Sequence, residues 1–432
     1  MNFDDIGASL YARYLMHRSI TTDSRRVPSN AIFFALKGPN FDGNVFAEQA
    51  IANGAAYAVI DRTQYKKDNR YILVDDALVA LQRLAQHHRR QLRIPVVGIT
   101  GSSGKTTTKE LVQAALGCRY VTTVTKGNLN NHIGVPLTVL AMNDQTEIGV
   151  VEMGANHVGE IAQCCEIAMP THGLITNVGH VHLEGFGSFE GVVKGKSELY
   201  DYLHQHNGVV FINSTDPVLG RMAKRFTQPI TYPQQQDFYH CKLVEENPFV
   251  VYQGEDGQAI STHLLGKYNF CNIAAALCMA KYFGVDEVKA NKAIQAYQPS
   301  KNRSQIVKKG SNTILLDAYN ANLASIKGAI RALHLIPSAH KVLILGDMAE
   351  LGEESEVAHQ ALGHFTTQAV YEEVLLCGPH MIAAKEANPS ALHFLKKEDL
   401  IIYLKQQAFK NTAFLIKGSR FLQLETLVEL IR

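Results

Sequence analysis

The stretch VVGITGSSGKTTTKELV, residues 96–112, decides the reading of this chain. An apolar, β-branched run meets a glycine-rich turn, passes through Lys-Thr-Thr and becomes a helical pattern. Gly101 and Gly104 permit backbone turns that other residues resist, so successive N–H groups can converge on phosphate oxygens. The helix expected to begin near Lys105 adds the positive end of its dipole. Lys105 supplies a cation for the β- and γ-phosphates, and the Thr106 hydroxyl is placed to bind Mg2+. Gly101, Ser102, Ser103, Gly104, Lys105, Thr106 and Thr107 form the expected ATP-binding loop. The strict G-x-x-x-x-G-K-[ST] spacing does not fit, because Ile99 stands where its first glycine would fall. A nucleoside triphosphate site is expected all the same.

Short apolar segments alternate with helical patterns on both sides of this loop. Examples are AAYAVI (55–60), IGVVEMGA (148–155), HGLITNVG (172–179), GVVFIN (208–213), TILLDAY (313–319), KVLILGD (341–347), EVLLCG (373–378) and AFLIKG (413–418). Most are apolar on both faces and end in Gly, Asn or Asp, as buried parallel strands do. The class is α/β. Three blocks follow. Residues 1–92 form a small α/β unit closed by DALVALQRLAQHHRR, a helix ending in cations. Residues 93–301 open at Ile94-Pro95 and carry the phosphate loop. Residues 302–432 begin after YQPSKNRS, where Pro299 acts as a breaker. The segment from Pro217 to Leu265, with its alternating FVVYQ, is expected to extend the middle sheet in partly antiparallel fashion.

Composition removes several classes. With 46% hydrophobic and 19% charged residues the chain is ordinary globular material, not disordered or coiled-coil. A net charge of +2 offers no dominant cationic field, so a general nucleic-acid binder is not expected. No apolar run approaches the ~18 residues of a membrane span, and MNFDDIGASL lacks a signal-peptide core. Seven scattered cysteines without a C-x-x-C pair fit a reduced, cytoplasmic protein. A soluble multi-domain enzyme is the expectation.

Further polar clusters follow the strand-like runs: KGNLNNHIGVPLT (126–138), EMGANHVGEI (152–161), TNVGHVHLEGFGS (176–188), VVKGKSELY (192–200), LLGKYNFCNIAAAL (264–277), DAYNANLASI (317–326), LGDMAELG (345–352) and KGSRFLQLE (417–425). Taken in order with GITGSSGKTTT they resemble the Mur ligase family over essentially the whole chain. TTDSRRVPSNAIFFALKGPNFDGNVF (21–46) is similar to that family's nucleotide-sugar domain. The resemblance implies a three-domain architecture: an N-terminal UDP-sugar-binding domain, a central P-loop ATPase domain on a parallel sheet, and a Rossmann-like C-terminal domain. DAYNAN, LGDMAELG and KGSR favour the branch that adds D-alanyl-D-alanine to UDP-N-acetylmuramoyl-tripeptide in peptidoglycan synthesis. That reaction uses ATP to turn a carboxylate into an acyl phosphate, which the dipeptide amine then attacks. Family members are mostly monomers, so a monomer is expected, with small-molecule substrates and no nucleic acid.

The resemblance also distributes roles. The catalytic set it implies is Lys105, Glu152, His182, Lys196 and Arg303. Glu152 ends a buried-type strand, where a carboxylate is costly unless paired or metal-bound; by resemblance it ligates Mg2+ with Thr106. Of the two histidines in GHVHLE, His182 matches a ligand of a second Mg2+, and His180 is left structural or solvent-facing. A zinc reading of the pair lacks further ligands at suitable spacing. Lys196 stands fourteen residues after His182, where the family carries a CO2-carbamylated lysine. A neutral amine attacks CO2, so such a site must depress the lysine pKa, and the carbamate would suit Mg2+.

Asn128 and Asn131 are expected in the cleft, against phosphate or peptide oxygens, with Asn-rich turn chemistry as the alternative. Asn272 matches an adenine-contacting residue, although Tyr268 replaces the family's histidine nearby. Arg303 would reach the γ-phosphate. Asp317 and Asn320 would form a nucleotide-binding edge, with Asn322 beside the substrate and Leu323 in place of a usual proline. Lys417, Ser419 and Arg420 are expected near the peptide and dipeptide, with a basic solvated turn as the alternative. Thr22, Asp23, Ser24 and Arg25 resemble uridine diphosphate contacts, and the family's Asp-Gly-His element reads Asp42-Gly43-Asn44. Two readings compete: a sister ligase with another amino-acid acceptor, and a P-loop NTPase without ligase chemistry.

Overall fold

The structure, a computed structural model, describes residues 3–246, 248–299 and 303–431. Its centre is a six-stranded parallel sheet in the order Ile230–Tyr232, Val209–Asn213, His172–Ile175, Val96–Thr100, Ile148–Glu152 and Thr122–Val124. All five residues of Val96–Thr100 are buried, which explains the unbroken apolar run: both faces of a central parallel strand are covered. Register sets Ile99 against Glu152 on one side and Thr100 against Ile175 on the other. The phosphate loop therefore leaves the sheet between two neighbours whose own exits carry Glu152 and Thr176.

A four-stranded parallel sheet, Ile20–Thr21, Ile32–Phe34, Tyr57–Ile60 and Tyr71–Leu73, lies within the first block. The helix Ala77–Gln91 starts where the Asp76 carboxylate accepts from the N–H groups of Leu78 (2.7 Å) and Val79 (2.9 Å). Of its basic end, Arg90 is exposed but His88 and Arg89 are buried. Arg89 is 6% exposed and donates to the carbonyls of Ala168, Leu92, Ile94 and Met169. One buried apolar cluster runs from Leu10, Ile32 and Val59 through Leu81 and Leu84 to Val96, Val135 and Ile161. The first and middle blocks thus share a core.

The segment after Pro217 departs from expectation. Ile230–Tyr232 joins the middle sheet in parallel. Lys242–Glu246, Phe249–Gln253 and Ala259–Leu265 do not extend that sheet; they form a separate three-stranded antiparallel sheet. Its burial alternates along Ala259–Leu265, and its inner side chains Val250, Tyr252 and Ile260 pack with Ile273 and Leu277 of the helix Tyr268–Tyr282. The same cluster holds Leu174, Phe211 and Tyr232 of the middle sheet, so the helix packs against both sheets.

The third block holds six strands in the order Gln305–Lys309, Asn312–Leu316, Thr412–Lys417, His340–Gly346, Glu373–Cys377 and Leu392–Phe394. Only the first pair is antiparallel. The junction expected at 301/302 lies outside the described residues.

Candidate active site

A cleft of about 1240 Å3 opens at the carboxyl ends of the middle strands and is walled on its far side by Arg303, Ser304, residues from Asp317 to Lys327 and Lys417 of the third block. Crevices at this edge of an open parallel sheet are the usual ligand sites of α/β folds. The phosphate loop forms one wall. Gly101 (φ 142) and Gly104 (φ 79) occupy positive φ. A Cβ at Gly101 would stand 2.0 Å from Thr176 Oγ1, and one at Gly104 would stand 2.7 Å from Asn272 Oδ1. The helix Lys105–Leu116 begins directly after Gly104, with its first turn facing the cleft.

Not every amide of the loop points at the cleft. Ser102 N donates to Asn177 O (3.0 Å) and Ser103 N to Asn177 Oδ1 (3.1 Å). Thr176 Oγ1 and Asn177 Nδ2 both donate to Ser103 O. The exit of the neighbouring strand therefore clamps the loop, and the amides left for a phosphate belong to the helix start. Lys105 Nζ donates to Gly101 O at 2.7 Å. Burial lowers the Lys105 pKa, with Arg303 adding to the effect and Glu152 opposing it.

Glu152 is 1% exposed. Its Oε1 accepts from Thr106 Oγ1 (3.0 Å) and Asn130 Nδ2 (2.8 Å). Its Oε2 is buried without a hydrogen bond and lies 3.4 Å from the ammonium of Lys109, which is equally buried. A carboxylate oxygen with free lone pairs beside a P-loop threonine hydroxyl fits a hard divalent cation, which takes one or two carboxylates and completes its shell with phosphate oxygens and water. Among the described residues there is no ready-made cluster of three or more His, Cys, Asp or Glu that could hold a metal alone. Any cation here would share its shell with the nucleotide.

His182 lines the same cleft. It has left-handed backbone (φ 54), and its Nδ1 pairs with the Glu350 carboxylate of the third block. His180 is exposed, stacked on Phe189. Lys196 is fully buried, not a surface lysine, and it sits behind the cleft wall. Its Nζ donates to Ala155 O at 3.1 Å and lies over the Phe186 ring. Burial, with help from the Lys105 charge, brings its pKa down to about 7.

The remaining candidates divide. Asn128 lines the cleft. Asn131 lines it too, but its Oδ1 accepts from Ile133 N and Gly134 N, so its side chain does turn work. Asn272 accepts from Thr108 Oγ1 and donates to Asn269 Oδ1, which makes it a brace behind Gly104. Arg303 stacks on Tyr319 with its guanidinium 3.7 Å from the ring centre. Asp317 accepts from Lys417 Nζ (2.6 Å) and Ser304 N, and Lys417 also donates to Asn320 O. Asn320 Oδ1 accepts from Ala321 N, and Asn322 caps the helix Leu323–His334. Tyr268 donates to or accepts from Ser304 Oγ, bridging the middle and third blocks.

Ser419 is buried away from the cleft; its Oγ accepts from Ala349 N, tying KGSR to LGDMAELG. Arg420 is exposed and pairs with Glu425. In the first block Thr22 is half-buried, Asp23 pairs with Arg25, and Ser24 Oγ reaches Gln49; none of them lines this cleft. Asn44 is 1% exposed and bonded to Asp42 and Asp61, a structural role. Sequence reasoning passed over Lys109, Asn130, Asn177 and Glu350. Asn130 sits inside the quoted GNLNN loop, and Lys109 lies one helical turn from Lys105, so spacing alone could have raised both.

No helix among the described residues is long and apolar enough to cross a membrane. Three family models match in succession: "Mur ligase family, catalytic domain" over residues 17–89, "Mur ligase middle domain" over 99–280, and "Mur ligase, glutamate ligase domain" over 302–420. A Bacillus subtilis protein named UDP-N-acetylmuramoyl-tripeptide–D-alanyl-D-alanine ligase is 35% identical over 97% of this chain and 94% of its own. A crystal structure of MurF from Acinetobacter baumannii superposes with a TM-score of 0.85 at 30% identity, over 95% of this chain and 92% of that one. The MurF ligase of Thermotoga maritima in complex with ADP gives 0.83 at 29% identity, over 96% and 97%. With a curated relative 35% identical across almost its whole length, the chain belongs to the Mur ligase family.

Proposed function

We propose that the chain is an ATP-dependent ligase that joins D-alanyl-D-alanine to UDP-N-acetylmuramoyl-tripeptide, giving the UDP-muramoyl-pentapeptide of peptidoglycan synthesis. The observation that carries this reading is Glu152: a buried carboxylate hydrogen-bonded to Thr106 at the mouth of a clamped phosphate loop, its other oxygen without a hydrogen bond and 3.4 Å from the Lys109 ammonium. The relatives' shared name supplies the substrates.

In the reaction a carboxylate oxygen of the tripeptide attacks the γ-phosphorus and ADP leaves. The dipeptide amine then attacks the acyl carbon, loses a proton and expels phosphate. Two anions must first be held together, so catalysis here is mostly positioning and charge neutralisation. The first turn of Lys105–Leu116 and the Lys105 ammonium take the phosphates. Arg303, held flat on Tyr319, approaches the γ-phosphate from the third block. Asn128 faces substrate oxygens without adding charge. Asp317 and Lys417 shape the wall opposite, and Thr22, Asp23, Ser24 and Arg25 take the uridine diphosphate. Thr106 and Glu152 would hold one Mg2+ and His182 a second, and the metal would neutralise phosphate charge.

Burial brings the Lys196 pKa down to about 7, so a neutral amine is available near neutral pH to attack CO2, forming an N–C bond and releasing a proton. Its carbamate would add an oxygen ligand. Lys196→Ala should then lose activity and regain part of it with added short carboxylates; full activity in that variant would remove the carbamate. The main reading is tested by phosphate release from ATP with UDP-muramoyl-tripeptide, comparing D-alanyl-D-alanine with D-alanine, L-lysine, diaminopimelate and glutamate. Release that needs the dipeptide, with a pentapeptide product by mass, is the expected result. Release with a single amino acid would assign a sister ligase, and release without any acceptor would leave only an NTPase.

A further inference from the structure

His182 meets the segment 350–354 across the junction of the middle and third blocks. Its Nδ1 is in ion-pair contact with the Glu350 carboxylate and makes no hydrogen bond to any other group. Glu184 N lies 3.5 Å from Glu350 O, and His180 Nδ1 lies 3.9 Å from Glu354 Oε2. Gly352 packs on Glu184 so closely that a Cβ there would stand 3.3 Å from the Glu184 Cα. His182 (φ 54), Glu350 (φ 63) and Gly352 (φ 55) all have left-handed backbone. Residues other than glycine rarely adopt that region, yet here two of them do so at the two ends of one contact. The pairing is therefore fixed by the course of both chains, not by the reach of a free side chain. His182 Nδ1 is shut off from solvent, while the side chain keeps 19% of its surface exposed and lines the cleft.

We propose that Glu350 is a positioning residue for His182. It accepts the Nδ1 proton, fixes the imidazole in that tautomer and leaves the Nε2 lone pair free to ligate a cation. A carboxylate behind a metal-binding histidine orients the ring and raises its basicity. Because Glu350 belongs to the third block, docking of that block and completion of the His182 metal position become one event, and each strengthens the other by the same factor. This rests on the proposed metal role of His182.

The test uses full-length protein with a non-hydrolysable ATP analogue and UDP-muramoyl-tripeptide, and follows free Mn2+ by electron paramagnetic resonance. Wild type is expected to bind two Mn2+, and His182→Ala one. Glu350→Ala is expected to bind the first unchanged and the second about 10- to 100-fold more weakly. Glu350→Gln, whose amide oxygen still accepts from Nδ1, recovers most of that loss. Second-site affinity at wild-type level in Glu350→Ala, with the second site lost in His182→Ala, overturns the proposal alone. Two wild-type sites in His182→Ala overturn the metal reading of His182 itself. Should Glu350→Ala fail to fold, Gly352→Val reads the same coupling with both side chains in place: a weakened second site supports it, and an unchanged one overturns it.

Discussion

Gly104→Ala carries the sharpest prediction for the phosphate loop. At φ 79 an L-residue costs about 1–2 kcal/mol relative to its ordinary conformations. The new Cβ would also fall 2.7 Å from Asn272 Oδ1. Asn272 cannot swing aside freely, because it is bonded to Thr108 and Asn269; giving up one of those bonds costs about another 1 kcal/mol. The total, about 2–3 kcal/mol, corresponds to about 30- to 150-fold at 1.4 kcal/mol per factor of ten. If the variant loop keeps its shape, the loss falls on folding; if it relaxes, the loss falls on ATP binding. Isothermal titration with a non-hydrolysable ATP analogue and a urea melt together capture both. Adding Asn272→Ala should relieve the steric part but not the backbone part, so Gly104→Ala/Asn272→Ala should bind ATP better than Gly104→Ala alone. ATP affinity within twofold of wild type, with an unchanged melt, would refute the reasoning.

Three further outcomes follow from buried polar groups. Lys109→Met leaves the Glu152 charge uncompensated and should cost about 3–5 kcal/mol, part of which Lys109→Met/Glu152→Gln restores; a single variant as stable as wild type in denaturant would contradict the pairing. Arg89→Met leaves four carbonyls, one buried and three part-buried, without their guanidinium donor and should cost about 1–3 kcal/mol. Arg89→Lys should recover only a fraction, since one ammonium cannot span the guanidinium fork. His172, packed among Phe211, Tyr282 and Phe283, has its pKa lowered by burial from 6.5 to about 4. The unfolded chain takes up that proton first, so stability is present above about pH 6.5 and is lost as pH falls toward 4, by at most about 3 kcal/mol. His172→Phe should flatten this acid limb, and parallel losses in both proteins would count against the assignment.

The parallel strands were legible because burial on both faces leaves an unbroken apolar run, and the phosphate loop because glycine, lysine and threonine each answer a separate demand there. Lys196 was picked out through the family resemblance alone, although the helical pattern also held the signal. In KGKSELY it looks no different from Lys194. Yet Val192, Lys196, Leu199 and Leu203 share one buried stripe of the helix Phe189–Gln205, and Lys194 is exposed. The helical period carried the distinction, and the charge concealed it. The antiparallel strands were visible by their alternation, but strand pairing is non-local, and nothing in FVVYQ specifies which sheet it joins. Several polar candidates illustrate a different limit. Asn131, Asn272 and Asn322 lie at the cleft, but their amides are committed to turns, braces and caps. A motif locates such a residue without saying whether its hydrogen bonds are spare.

The apolar cluster that passes from Leu10 and Leu81 into Val96 and Val135 has a consequence for how such a protein can change over time. A domain joined to its neighbour only by a linker can be exchanged by recombination, since the cut exposes little. A cut near residue 92 would instead split a hydrophobic interior and the Arg89 staple along with it. The first and middle blocks are thereby obliged to evolve as a pair, substituting in step across their seam. A chimera that grafts a relative's first ninety residues onto this chain would need the matching surface of its middle block as well.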